Sequence, residues 1–215
     1  LGLSLGLSSV FFIALFVADE LAYDAFQKPN VYRIGLERFF SDSQMEYATT
    51  PQPLGYTMSE EYPEVEKAAR ALGLGQGYKI ENESKELSFR EGNLMLADSN
   101  FLEVLSIPMV AGNLTALDEP YSLVLNQSMA VKYFGNTECV GKKLLINDTI
   151  EYTVTGVTED MREQSHLDYD FLISWNTFPP QQSPYLWVSY STYNYLQLRP
   201  GVDPTLFESK FNAVA

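Results

Sequence analysis

Cysteine and histidine are nearly missing from this sequence, with one of each, Cys139 and His166, in 215 residues. A single cysteine excludes an internal disulfide framework, and the two together cannot furnish a Cys/His zinc site. Chemistry that needs a histidine must use His166 or do without. Basic residues are also scarce: 14 Lys+Arg stand against 28 Asp+Glu, a net charge of −14. Phosphate contacts need clustered Lys and Arg, so nucleic acid is excluded as a partner. Charge attraction to anionic lipid headgroups is excluded on the same ground. A phosphate-binding loop is missing too. The stretch from Gly135 to Gly141-Lys142 has the wrong spacing for one and is followed by a second lysine, Lys143. Repeats and low-complexity segments are absent. What remains is 46% apolar and 20% charged, the composition of a chain that folds, with length for one large domain or two small ones.

The first thing present is an uncharged run, LGLSLGLSSVFFIALFVA over residues 1–18, ended by Asp19 and Glu20. As a helix it is about 27 Å long, just short of a ~30 Å hydrocarbon core. The run starts without an initiator methionine, and we read it as the outer part of a transmembrane helix that began upstream. A signal peptide and a buried core helix are the competing readings. Gly2, Gly6 and the serines at 4, 8 and 9 suit close helix packing in lipid. Asp19, Glu20 and Asp24 precede the first basic residue, Lys28. Cytoplasmic flanks are rich in Lys and Arg, so this acidic exit fits the non-cytoplasmic side. The helix is expected to continue as a stalk through Asp19, Glu20, Leu21, Ala22, Tyr23 and Phe26, and to stop at Pro29.

Beyond the stalk, strand and helix signals alternate. VYRIGLERF (31–39) reads as a strand, and TPQPLGYTMSEEYPEV as a helix between Pro53 and Pro63. VEKAARALG (65–73) is strand-like, and ELSFREG (86–92) and LMLAD (94–98) read as strands around a Gly-containing turn. DSNFLEVLS (98–106) is a short capped helix, SLVLN (122–126) a strand, and QSMAVKYFG (127–135) a helix closed by Gly135. KLLIN (143–147) and IEYTVTGVTED (150–160) form a hairpin across Asn147-Asp148. YDFLISW (169–175) and WVSYSTYNYLQLRP (187–200) are the last strands, before a helix from Asp203-Pro204. The pattern is α+β with split β-α-β units.

Four groups invite a chemical reading. Ser165-His166-Leu167-Asp168 brings three triad residue types together, but triads assemble from separate elements, so a turn with a hydrogen-bonded histidine is favoured. Glu81, Glu83, Glu86 and Glu91 are interleaved with Lys79, Lys85 and Arg90 and lack calcium-loop spacing, which favours a solvated hairpin. Tyr185, Trp187, Tyr190, Tyr193 and Tyr195 form an aromatic run suited to a partner or substrate surface. Positions 187, 193 and 195 share parity, as one strand face requires, and core packing or a subunit interface is favoured over stacking of a ligand. N-x-[ST] sequons begin at Asn82, Asn113, Asn126 and Asn147. In a bacterial envelope protein they would be chance, whereas in a eukaryotic secreted protein they would matter.

Taken in order, these blocks carry a resemblance. GLSLGLSSVFFIALFVADELAYDAFQKPNVYRIG resembles the first transmembrane segment and exit of FtsX-like ABC-transporter permeases of the Bacteroidetes type. DSNFLEVLSIPMVAGN, SLVLNQSMAVKYFG, VGKKLLIND, YTVTGVTED, SHLDYDFLIS and YNYLQLRPGVDP follow the order of the MacB-like periplasmic core domain. Glu138-Cys139 departs from the pair found in relatives and gives no reason to expect a functional thiol. The resemblance implies a transmembrane helix and stalk at 1–28, a porter-like lobe at 29–92 plus 168–215, and an inserted sabre-like lobe at 93–167. It also implies that the domain continues beyond Ala215, with three further membrane helices after it. The implied setting is the bacterial inner membrane with the main domain in the periplasm. Implied partners are a cytoplasmic ATP-binding subunit or domain, a second permease protomer, and a periplasmic or outer-membrane protein. No catalytic residue, cofactor or metal is implied. The expected function is non-catalytic: coupling of cytoplasmic ATP hydrolysis to export or mechanical work. A membrane-anchored module that binds a peptide, glycan or protein is the alternative, and an envelope hydrolase using His166 is a distant third.

Overall fold

A computed structural model describes residues 2–21, 28–40, 43–161, 165–178 and 184–212, with residues 2, 3, 5, 21, 184 and 185 described as backbone only. Helix α1 (Gly2–Leu21) comes first. Every described side chain in it is exposed, with Leu7 at 63%, Phe12 at 69% and Phe16 at 68%. Among the described residues no helix is long and apolar enough to cross a membrane. The continuous run of described side chains in α1, residues 6–20, is about 22 Å long at ~1.5 Å per residue, against ~30 Å of hydrocarbon. Asp19, Glu20 and Leu21 form the end of the helix. Ala22, Tyr23 and Phe26 of the expected stalk lie outside the described residues.

The first half of the domain holds β1 (Val31–Arg33), β2 (Leu36–Phe39), β3 (Gln44–Tyr47), β4 (Thr50–Pro51), α2 (Leu54–Glu61) and β5 (Val65–Gly73). Next come β6 (Tyr78–Asn82), β7 (Leu87–Glu91), β8 (Leu94–Ala97), α3 (Phe101–Val104) and β9 (Met109–Ala111). The second half holds β10 (Ser122–Asn126), α4 (Gln127–Phe134), β11 (Lys143–Ile146), β12 (Ile150–Thr158), β13 (Phe171–Ser174), β14 (Tyr190–Leu198) and α5 (Pro204–Asn212). Twelve strands make one mixed sheet in the order β1-β14-β5-β8-β13-β10-β12-β11-β6-β7, with β4 added beside β14 and β9 beside β12. The pairs β10–β12 and β8–β13 are parallel, which gives the mixed α+β character read from the sequence. Hairpin β2–β3 stands apart as a separate two-stranded sheet.

Local chemistry explains much of this order. All five residues of β10 are buried, so an apolar SLVLN belongs mid-sheet, between β13 and β12. Asn126 then starts α4, its side chain accepting from the Met129 amide at 2.8 Å. Gly135 ends the helix at φ 82°, where a side chain would be strained. Asn147 and Asp148, at φ 53° and 58°, supply the two left-handed positions of a tight hairpin between β11 and β12.

The expected turn between 86–92 and 94–98 is corrected by the pairing. β7 pairs with β6 at the far edge, whereas β8 lies between β5 and β13. Three of five β7 residues are exposed and all four β8 residues are buried, so one suits an edge and the other the middle. Asn93, at φ 50°, redirects the chain between them. The single strand expected over 31–39 divides into β1 and β2, and the helix expected over 98–106 is regular only over Phe101–Val104. The sequence reading had no strand at β3, β4, β6 or β9.

Three apolar clusters hold the layers. Met58, Tyr62 and Phe207 join α2 and α5 to Ala68, Leu196 and Leu198 of the sheet. Phe101, Leu102 and Leu105 press on Ala69, Ala71 and Tyr195. Ala130, Tyr133 and Phe134 of α4 cover β10, β12 and β13. The sheet runs without a break through residues drawn from 29–92, 93–167 and 168–215, with β6 paired to β11.

Candidate functional site

The aromatic run near the end of the chain is divided by the strand that carries it. Tyr193 and Tyr195 point to the α3 side of β14, where Tyr195 is buried and meets Phe101 edge-on at 6.2 Å. Trp187 lies before β14, in a single 3₁₀ turn over Pro184–Trp187, so shared parity does not place it on the strand. It is 44% exposed and lines a different space together with Tyr190, whose ring sits 6.3 Å from that of Tyr47. Tyr185 has no described side chain. The structure thus brings Trp187 and Tyr190 together and separates both from Tyr193 and Tyr195.

The space that Trp187 and Tyr190 line is a groove of about 1170 Å³ between hairpin β2–β3 and helices α2 and α5. Its walls are aromatic and aliphatic: Leu36, Phe39, Tyr47, Met58, Tyr62 and Phe211. Glu37, Glu46, Glu61 and Glu208 line it as well, against one cation, Arg33. All five charged residues are exposed. Glu37 and Glu46 are directly opposite in the β2–β3 register, an arrangement of like charges that destabilises a strand pair. The sequence reading missed the four carboxylates because they come from four elements. The one available signal was the symmetric placement of Glu37 and Glu46 about a turn.

Asn194 fixes the floor of that region. It donates to Thr50 Oγ1 at 2.9 Å and to the Pro51 carbonyl at 3.0 Å, and accepts from the Gly55 amide at 3.3 Å. A Cβ on Gly55 would lie 2.6 Å from Asn194 Oδ1, so only glycine lets α2 start this close to β14. The buried amide therefore sets the position of the helix that forms one groove wall.

A polar cluster lies behind α2. Asp98 is nearly fully buried; its Oδ2 accepts from the Tyr56 hydroxyl at 2.8 Å and the Arg70 amide at 3.0 Å. The Arg70 guanidinium sits 4.7 Å from the Tyr56 ring centroid and 4.2 Å from that of Trp175. Burial pushes the Asp98 carboxyl up to about 6, against the pull of Tyr56 and Arg70. Burial and the neighbouring Asp98 push the Tyr56 hydroxyl up as well. The cluster ties α2, β5, the end of β8 and the turn after β13 together.

His166 lies in a smaller pocket of about 320 Å³ with Tyr193 and Tyr195. Its Nε2 is 2.9 Å from the Tyr195 hydroxyl, Ser165 Oγ accepts from the Leu167 amide, and Asp168 accepts from the Asn93 amide. Among the described residues these contacts lead to three different places, as in a hydrogen-bonded turn. Glu91, the last residue of β7, is buried against α4, whose Tyr133 hydroxyl and Lys132 Nζ each reach its Oε1 at 2.6 Å. Glu81 pairs with Lys79 at 2.9 Å. No group of three metal-ligating side chains occurs among the described residues. Two of the sequon asparagines, Asn82 and Asn126, are buried, and both spend their amides on backbone carbonyls.

Comparison with known proteins gives the same answer from two directions. The family model described as MacB-like periplasmic core domain matches residues 1–214. A domain of a protein described as a permease, from Porphyromonas gingivalis, superposes with a TM-score of 0.72 at 23% identity, covering 86% of this chain and 79% of that one. The periplasmic region of MacB from Actinobacillus actinomycetemcomitans gives 0.61 at 16% identity, over 86% and 82%. The extracellular domain of the noncanonic ABC-type transporter YknZ from Gram-positive bacteria gives 0.52 at 14%, over 84% and 88%. At these identities the structural likeness is one of fold. No curated protein matches the chain.

Proposed function

This chain belongs to the MacB-like periplasmic core domain family, the periplasmic domain of MacB/FtsX-like ABC-transporter permeases, and from that premise we propose that it couples cytoplasmic ATP hydrolysis to export or mechanical work in the envelope. The match along residues 1–214 is the observation that carries this reading. In it the domain catalyses nothing and holds no cofactor. The contacts of Ser165 and Asp168 support that side of the proposal, since each serves a turn or a neighbouring element.

The surface of α1 supports a membrane setting. Leu7, Val10, Phe11, Phe12, Ile13 and Phe16 are all more than 60% exposed, so nothing among the described residues covers them. A helix apolar all round belongs inside protein or lipid. We take lipid as the cover, with α1 as part of the transmembrane helix, residues 19–28 as the stalk, and the domain in the periplasm of an inner-membrane permease. A porter-like lobe from 29–92 plus 168–215 and a sabre-like lobe from 93–167 then share the one continuous sheet, and movement of the stalk reaches both through it. The partners are a cytoplasmic ATP-binding subunit or domain and a second permease protomer, with a periplasmic or outer-membrane protein as a further candidate.

The test is co-purification from native membranes. A cytoplasmic ATP-binding protein should accompany this chain, and ATP hydrolysis should reside in that partner and be absent from the chain alone. ATP hydrolysis by the chain alone contradicts the proposal.

A further inference from the structure

The groove between hairpin β2–β3 and helices α2 and α5 has a charge pattern that force transmission does not require. Its walls are aromatic and apolar, while four carboxylates, Glu37, Glu46, Glu61 and Glu208, line it against a single Arg33. Aromatic faces and carboxylates share one preference, which is for a cation. Glu37 and Glu46 oppose each other across the hairpin, and Glu37 accepts from the Gln44 side-chain amide, which is neutral, so a positive group placed between the two carboxylates still lowers their repulsion. Phe39 lies two residues from Glu37 on the same face of β2, and is 72% exposed. At about 1170 Å³ the groove exceeds the ~300–1,000 Å³ of a typical small-molecule pocket. It lies open between a free-standing hairpin and two helices, the form of a groove that receives a peptide with spaced apolar anchors.

We propose that this groove is a docking site for a basic amphipathic peptide segment, whose apolar side chains lie against Trp187, Tyr190, Tyr62 and Phe211 and whose Lys or Arg groups meet Glu46, Glu61 and Glu208. The charge of the groove selects the occupant. An acidic or neutral apolar segment would bury these carboxylates without partners, which disfavours it. This inference goes beyond coupling to ATP hydrolysis and stands or falls apart from it: a chain that binds no peptide can still transmit force.

The probe is a ten-residue amidated peptide of Lys, Leu and Phe, free of tryptophan, titrated into the whole chain in a non-ionic detergent. Heat of binding and tryptophan fluorescence are the two readouts, the second compared between the parent and Trp187→Phe so that the signal of Trp175 is subtracted. The expected result is saturable binding that perturbs Trp187, with no binding of the same peptide carrying Glu for Lys. The variant Glu46→Gln/Glu61→Gln/Glu208→Gln should weaken binding about tenfold, the combined effect of three exposed charge contacts. All three residues are exposed, so the core is untouched. The control Glu119→Gln/Glu138→Gln/Glu159→Gln removes the same charge from positions that do not line the groove, and should weaken binding less than about twofold. Equal loss in both variants means general attraction to an acidic chain and overturns the proposal, as does binding of the acidic peptide or of neither. Equally tight binding of tetraphenylphosphonium overturns it in favour of a small organic cation. Self-association that the groove variant abolishes overturns it in favour of a second copy of the chain.

Discussion

Asp98 shows how one buried side chain can make the domain sensitive to pH. Its carboxyl is pushed from 3.8 up to about 6 chiefly by burial, so the folded chain holds the proton more tightly than the unfolded one. Stability from this group is therefore fully present below about pH 4 and is lost as pH rises through about 6. The size is of order 3 kcal/mol for a shift of this extent. We predict that Asp98→Asn removes this slope. The stability of the variant relative to the parent, measured by urea unfolding, should rise between pH 4.5 and 7 by an amount of that order. A constant difference across the window would mean that burial does not govern the group. Carboxylates held down by lysines act in the opposite sense, since Glu103 beside Lys67 adds stability that is lost on acidification. Those carboxylates are common to parent and variant, so the difference between the two isolates Asp98.

At the scale of elements, what was legible followed local chemistry. The cap at Asn126, the glycine after Phe134, the Asn147-Asp148 turn and the run SLVLN each specify their own element. What was not legible depended on partners distant in the chain. The stretches 86–92 and 94–98 are both strands, but their assignment to edge and middle rests on which sheet positions are already covered. β4 is two residues long and exists through its pairing with β14. The candidate site was half legible. Trp187 and Tyr190 were picked out by their residue types, whereas the carboxylates that face them come from β2, β3, α2 and α5. Parity failed for Trp187 because the strand starts three residues later, at Tyr190.

The element that the coupling proposal depends on most is α1, which it takes as the helix leaving the membrane. α1 runs through Asp19 and Glu20 to Leu21, so the helix continues past the apolar run. If it continues to Phe26 as a rod, Ala22→Pro breaks it, because an interior proline removes a backbone hydrogen bond and costs ~3 kcal/mol or more. The domain beyond α1 has apolar clusters of its own and should remain folded. We predict loss of export or envelope regulation with ATP hydrolysis retained in the partner, at unchanged abundance of the protein. Normal function of the variant at normal abundance would contradict a rigid stalk.

At the scale of the whole molecule, the account places an acidic α+β domain outside the cytoplasm at the end of an apolar helix. Its family, its exposed α1 and its acidic exit after residue 18 support that placement together. One chemical accident makes the placement easy to measure. The sole cysteine, Cys139, is fully buried and its thiol is pushed up by burial, so it is a poor target for alkylation. A cysteine introduced at the exposed Glu119 is then the reactive thiol to follow. With the outer membrane removed and the inner membrane intact, a membrane-impermeant maleimide should label Glu119→Cys fully, and lysis should add nothing. Labelling that occurs only after lysis would put the domain in the cytoplasm and contradict the account.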